Sequence, residues 1–168
     1  MQGEAKGNIP SPEWKERVFN GDDWRIGDTY NTSIGQYGFQ VTPIEMVRAV
    51  AALANGGTLV TPSITEPLDS ETFAKLSFEE EDLQVVREGM RMVVTEGGGQ
   101  LLNSLPFSVA AKTGTAQVGV QKRFVNAWMV GFFPYEQPRY SFVFLMEHGP
   151  GGEAVVGASR AASPFFTW

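Results

Sequence analysis

The sequence predicts an α+β fold, with helices first and an antiparallel run of three strands last. Three observations carry that expectation. Residues 42–54 and 77–96 place apolar side chains at the three-to-four spacing of a helix, each behind a capping signal and each ended by glycine. Residues 109–118, 125–133 and 140–146 are instead extended runs rich in strand formers. Pro134-Tyr135-Glu136-Gln137-Pro138 separates the last two, a turn short enough to make them antiparallel neighbours.

Each element has a local cause. Thr42-Pro43-Ile44-Glu45 combines an N-cap threonine, proline at the first helical position and a capping-box glutamate. Ile44, Val47, Ala51 and Ala54 then share a face, and Asn55-Gly56-Gly57 stops the helix. A short extended piece, Thr58 to Val60, precedes Pro62. Ser77-Phe78-Glu79-Glu80 is a second capping box; Leu83, Val86, Met90 and Val93 mark the buried stripe expected behind it, and Gly97-Gly98-Gly99 ends that helix. Its acidic start, Glu79 to Asp82, complements the helix dipole and is not a metal site. Residues 1–28 are rich in Gly, Pro and Asp and read as an ordered loop region, because Trp14, Phe19 and Trp24 are poorly suited to free coil. Gly157 to Trp168 is expected to close the fold as a short helix, with Ser163-Pro164 weighing against it. Strands apolar on both faces need cover on both sides. Two helices and a tail are little cover for so much apolar strand, and a missing partner segment is one explanation.

Composition bounds the function. The 168 residues suffice for one domain, and 42% hydrophobic with 19% charged residues makes it globular. A net charge of -6 with no long basic run argues against a nucleic-acid partner and leaves small molecules, peptides and glycans. With no cysteine, disulfides, thiol nucleophiles and thiolate zinc sites are excluded. No metal or cofactor is expected. The polar start, Met1 to Asn8, is not a signal peptide, and no apolar run approaches the ~20 residues of a membrane span. The chain as read is therefore expected to carry neither export signal nor anchor.

Chemistry concentrates in Ala110-Ala111-Lys112-Thr113-Gly114-Thr115-Ala116-Gln117. A strand interrupted by glycine marks close approach of a ligand or another backbone. Beside Gly114 stand one cation and two hydroxyls. Alternation places Thr113 and Thr115 on one face, Lys112 and Gly114 on the other. On a sheet edge such a segment can offer backbone N–H groups to an extended substrate while the hydroxyls hold a carboxylate. The same tetrapeptide also suits a plain surface strand with a solvated lysine.

Lys-Thr-Gly-Thr followed by Ala-Gln resembles the third motif of the penicillin-recognising serine transpeptidases. The surrounding sequence extends the match. Gly27-Asp28-Thr29, Ser33-Ile34-Gly35-Gln36 and Val41-Thr42-Pro43, ahead of a helix ending Ala-Leu-Ala-Asn-Gly-Gly, resemble the region between the second and third motifs of class B penicillin-binding proteins. Glu4-Ala5, Ile9-Pro10 and Ser11-Pro12-Glu13-Trp14-Lys15 are similar to the elongation type, the penicillin-binding protein 2 group. Gly89-Met90, Val93-Val94 and Ala127 to Phe132 fit the same frame, so the resemblance covers essentially the whole chain. Two departures stand out. Ala111 replaces the glycine usual before the lysine, and Gly35-Gln36-Tyr37-Gly38 replaces Gly-Gln-Gly-Tyr. Neither removes a functional side chain.

The resemblance implies a partial penicillin-binding-protein/serine β-lactamase-like transpeptidase fold. It implies acyl transfer on D-Ala-D-Ala stem peptides of peptidoglycan, with β-lactams as covalent inhibitors. Lys112 and Thr115 are implied as catalytic: Lys112 by adding positive potential near a serine, Thr115 by its N–H in the oxyanion hole. Thr113, Gly114 and Thr115 are implied as substrate-binding, the two hydroxyls on the terminal carboxylate. The parent is implied to be anchored in the inner membrane, to face the periplasm and to work in the cell-wall elongation complex. The chain contains no Ser-x-x-Lys and no Ser-x-Asn. Thr72-Phe73-Ala74-Lys75 has the first spacing but starts with threonine, a coincidence. Residues 1–168 are thus expected to be the C-terminal portion of one transpeptidase domain, inactive alone and prone to self-association. The alternatives are a non-catalytic β-lactam-sensing or structural relative, or a serine β-lactamase. His148, the only histidine, reads as a turn residue, and Gly97-Gly98-Gly99 lacks the pattern of a phosphate loop.

Overall fold

The computed structural model describes residues 5–64, 74–119, 121, 123–151 and 157–167. These form two compact units, residues 2–42 and residues 43–168.

The first unit contains two short helices, α1 (Pro12–Val18) and α2 (Ile26–Ser33), where the composition of residues 1–28 suggested loop. The correction has a local cause. Ser11 is the N-cap of α1, its hydroxyl accepting the Trp14 amide at 3.1 Å, with Pro12 at the first helical position. In α2 the Asp28 carboxylate reaches back to the Arg25 amide at 2.8 Å. The same carboxylate accepts from the ammonium of Lys15 at 2.7 Å, and Lys15 also donates to the Asp23 carbonyl at 2.6 Å. Lys15 is 2% exposed, so the ammonium is held by three oxygens once Asp22, 3.0 Å away, is included. Trp14, Phe19 and Trp24 pack on Tyr37, edge-on or stacked. Gly38 has φ +74°, and a Cβ there would lie 2.6 Å from the Trp14 ring, so glycine is required on both counts. Asn8 and Gln40 pair through both backbone amides, joining the two ends of the unit.

The second unit is built on an antiparallel sheet in the order β3 (Ala110–Val118), β4 (Phe124–Phe133), β5 (Tyr140–Pro150). Register pairs Lys112 with Val130, Thr113 with Met129 and Thr115 with Ala127, then Val130 with Val143 and Met129 with Phe144. The two faces are therefore distinct. One carries Ala111, Ala127 and Met129 and is covered by Ala158 and Ala162 of α5 (Ala158–Thr167). Phe133, Phe142, Phe144 and Phe166 extend that layer as an aromatic cluster. The other face carries Ala110 and Phe132 and is covered by Val50 and Ala54 of α3 (Pro43–Ala54). Gly131 is fixed by crowding: a Cβ there would lie 2.4 Å from the Ala110 carbonyl oxygen and 2.6 Å from the Phe142 ring.

The tail helix forms in spite of Pro164, which lies in its second half. The third strand runs four residues past Met146, and a bulge between Val125 and Ala127 accommodates the extra length. Two short strands, β1 (Thr58–Leu59) and β2 (Ala74–Lys75), form a separate pair. The Lys75 ammonium is taken by the Gly56 carbonyl, and Thr72 and Phe73 lie outside the described residues, as do Glu4 and Trp168.

Helix α4 (Glu80–Thr95) departs from expectation twice. Its N-cap is Glu79, not Ser77: the Leu76 amide bonds to the Gly57 carbonyl, and the Phe78 amide turns back to the Leu76 carbonyl at 3.2 Å, which places Ser77 in a tight turn ahead of the helix. Its buried stripe is Leu83, Met90 and Val94, while Val86 is exposed and Val93 half-buried. The stripe passes through Arg87, whose guanidinium lies 5.7 Å from the Phe132 ring centre and donates to the Tyr135 carbonyl.

Candidate active-site strand

Strand β3 is an edge strand: among the described residues it pairs with β4 alone. Its start is deeply packed: Val109 just before it, and Ala110 and Ala111 within it, are all 0% exposed. From Lys112 onward it emerges, with Lys112, Gly114 and Thr115 exposed and Thr113 half-buried. Helix α4 holds the buried end. Arg91 donates to the Val109 carbonyl at 2.9 Å. The strand thus leaves a clamped base and runs out along an open edge.

Backbone direction follows from two contacts. The Ala110 carbonyl crowds Gly131 of β4, so it faces into the sheet. The Val109 carbonyl is met from outside by Arg91. Alternation then turns the N–H and C=O groups of Ala111, Thr113 and Thr115 outward. The Lys112 ammonium agrees, folding over the edge to the Thr113 carbonyl at 2.6 Å. The Thr115 amide therefore faces away from β4, beside the exposed Thr115 side chain.

The side chains sort as alternation requires. Thr113 and Thr115 share the face of Met129 and Ala127, and Lys112 and Gly114 share the face of Val130 and Trp128. The Thr113 hydroxyl is flanked by the glycine run after α4: a Cβ built on Gly98 would sit 3.6 Å from it. A Cβ on Gly114 would meet only the Trp128 Cβ at 3.8 Å, so the surface over Gly114 is flat and open. One segment therefore presents a cation, two hydroxyls and outward amides. This chemistry suits an extended, carboxylate-ended ligand laid along the edge.

The other sequence candidates fall elsewhere. His148 lies near the end of β5 at φ +53°, its amide donating to the Asn126 side chain at 3.0 Å and its ring edge-on to Phe124. Gly97-Gly98-Gly99 follows α4 as its stop. Arg91 was not singled out by sequence reasoning. An arginine within an amphipathic helix carries no local mark of the strand it clamps.

The match to known proteins is extensive. The family model described as the penicillin binding protein transpeptidase domain matches residues 1–166. The peptidoglycan D,D-transpeptidase MrdA of Acinetobacter baumannii is 30% identical over 100% of this chain, which covers 28% of that protein. A crystal structure of Pseudomonas aeruginosa PBP2 in complex with WCK 5153 superposes with a TM-score of 0.79 at 30% identity, covering 98% of this chain and 37% of that one. PBP2 from Helicobacter pylori, in its complex with MreC, gives a TM-score of 0.75 at 33% identity, covering 98% of this chain and 30% of that one. The chain thus spans about a third of the length of the relatives it matches, and its α+β architecture is a partial form of their fold. By sequence and by fold, this chain belongs to the penicillin-binding protein transpeptidase family.

Proposed function

We propose that residues 1–168 form the C-terminal portion of a peptidoglycan D,D-transpeptidase domain of the elongation type, and that β3 is the wall of its active site. The observation that carries this reading is the edge strand itself, with Lys112, Thr113, Gly114 and Thr115 emerging from a clamped base toward an open side. In this reading the hydroxyls of Thr113 and Thr115 bind the terminal carboxylate of a stem peptide or β-lactam. The outward Thr115 amide is one donor to the oxyanion of the tetrahedral intermediate; losing one such donor typically costs about 10²–10³ in rate. Lys112 contributes positive potential toward the serine that attacks. That serine, and the lysine that takes its proton, belong to a Ser-x-x-Lys that these residues do not contain. Acylation therefore needs a further segment of the domain. The membrane anchor and the elongation-complex partners are likewise assigned to the rest of the parent protein; among the described residues no helix is long and apolar enough to cross a membrane.

Two measurements test the reading. A fluorescent penicillin is expected to leave the isolated chain unlabelled, and a covalent band at its mass would show a nucleophile that this reading denies. Titration with N-acetyl-D-alanyl-D-alanine is expected to move the amide resonances of Thr113 and Thr115 saturably. An unchanged pair would remove the carboxylate role from β3.

A further inference from the structure

The three glycines after α4 are not equivalent. The amides of Gly97 and Gly99 both bond to the Val93 carbonyl, at 3.2 and 2.9 Å. A Cβ on Gly97 would lie 3.0 Å from both the Cα and the carbonyl oxygen of Val93, and one on Gly99 would lie 3.1 Å from that same oxygen. Those neighbours are helix backbone and cannot yield. The helix end therefore demands glycine at both positions. Gly98 is different. It is exposed, and its φ lies outside the left-handed region. Among the described residues a Cβ there would meet only the Thr113 side chain, 3.6 Å from the hydroxyl and 4.0 Å from the methyl. Both are ordinary van der Waals distances, so the fold itself accepts a side chain at position 98.

What such a side chain would change is the strand. Thr113 is half-buried on the face of Met129, at the point where β3 emerges from its clamped base. A residue at 98 aims its Cβ at that hydroxyl. Alanine would bring one methyl group into contact with it. A β-branched residue carries two further heavy atoms past that contact and covers the hydroxyl. A hydroxyl hidden under methyl groups cannot donate to a carboxylate. A carboxylate brought beside them gives up water and gains no donor in return.

We propose that Gly98 is a specificity-determining position of the β3 site: its bare backbone keeps the Thr113 hydroxyl open to the terminal carboxylate of a peptide laid along the strand. The proposal rests on the reading of β3 as a carboxylate-binding wall, and it names the residue outside the strand that sets access to that wall. Glycine at 98 answers to the ligand, whereas glycine at 97 and 99 answers to the end of α4.

Titration of the 168-residue chain with N-acetyl-D-alanyl-D-alanine, read by the Thr113 and Thr115 amide resonances and paired with urea denaturation, tests the proposal. Gly98→Val should weaken binding about tenfold, the loss expected for one hydrogen bond to a charged group, and should leave the urea midpoint unchanged. Gly98→Ala should bind with intermediate strength. Gly97→Ala should instead lower the midpoint. Thr113→Val should cost about as much binding as Gly98→Val, and the two together no more than either alone, because the hydroxyl to be covered is already gone. A full further loss in the double variant would show a blocked strand rather than a covered hydroxyl and would overturn the proposal. A urea midpoint that falls in Gly98→Val as it does in Gly97→Ala would also overturn it, without any ligand, by making Gly98 a requirement of the fold. If the unsubstituted chain binds and Gly98→Val binds equally well, the proposal fails alone and β3 keeps its role. If the resonances of the unsubstituted chain stay fixed, the β3 reading fails and takes the proposal with it.

Discussion

Asp28 and Lys15 show how two residues that mark the family in sequence are joined in structure. The Asp28 carboxylate is held below its ordinary value of 3.8, first by the Lys15 ammonium, then by the Arg25 amide, with a smaller contribution from the Tyr37 hydroxyl. Lys15 is raised above its ordinary 10.5, chiefly by Asp28 and against the cost of burial. The signs follow from linkage. A depressed carboxylate stabilises the fold above its unfolded value, and that contribution is lost as pH falls through the lower folded value. A raised ammonium stabilises below 10.5, and its contribution is lost as pH rises through the folded value. Acidification below about pH 4 should therefore loosen the first unit, read by the fluorescence of Trp14 and Trp24. Asp28→Asn should be less stable at neutral pH and should lack that part of the acid transition. An unchanged acid limb in the variant would show that other carboxylates set it. Tyr37 explains the local departure from the family pattern. It sits at φ +62°, a conformation glycine adopts at no cost and other residues at roughly 1–2 kcal/mol. Its ring offsets that strain by packing against Trp14, Phe19 and Trp24.

At the scale of the element, α4 is the instructive case. Apolar periodicity assigned Val86 and Val93 to its buried stripe, and the structure instead runs the stripe through Arg87. The reason is the neighbour. The end of β4 and the turn after it bring the Phe132 ring and the Tyr135 carbonyl to that position, where a guanidinium can lie over one and donate to the other. Arg87→Ala should destabilise the chain by about 1–3 kcal/mol, since it leaves a part-buried carbonyl unpaired and uncovers an aromatic ring. Val86→Ala should change stability by less than about 0.5 kcal/mol. Urea denaturation of both variants separates the two models of the helix; equal losses would restore Val86 to the core. The capping box at Ser77 failed for a similar reason. The pattern was present, but Ser77 sits in a tight turn that returns the Phe78 amide to the Leu76 carbonyl, and the helix is capped two residues later at Glu79.

For the whole molecule, the uneven cover of the sheet governs behaviour. Strand β5 pairs only with β4 among the described residues, and its residues from Ser141 to Met146 are half-buried although most are large and apolar. Ile26, Ile34 and Val85 are further large apolar residues left open to solvent. An unpaired strand edge and scattered apolar surface invite association. The isolated chain is expected to bind a hydrophobic dye and to elute above monomer mass on size exclusion. A monodisperse monomer without dye binding would count against a missing partner segment.

What the sequence determined by itself was what depends on near neighbours: helix-forming periodicity, glycine stops, the three strands and their antiparallel order, and the Lys112–Thr115 motif. Those signals are written within a few residues of where they act. Tertiary structure decided what depends on contacts across the chain. It set the stripe of α4, the clamp of Arg91 on Val109 and the outward turn of the Thr115 amide. It also brought Gly98 beside the Thr113 hydroxyl. Hydrogen-bond partners and burial at those positions come from residues far away in sequence, and no local pattern encodes which of them will arrive.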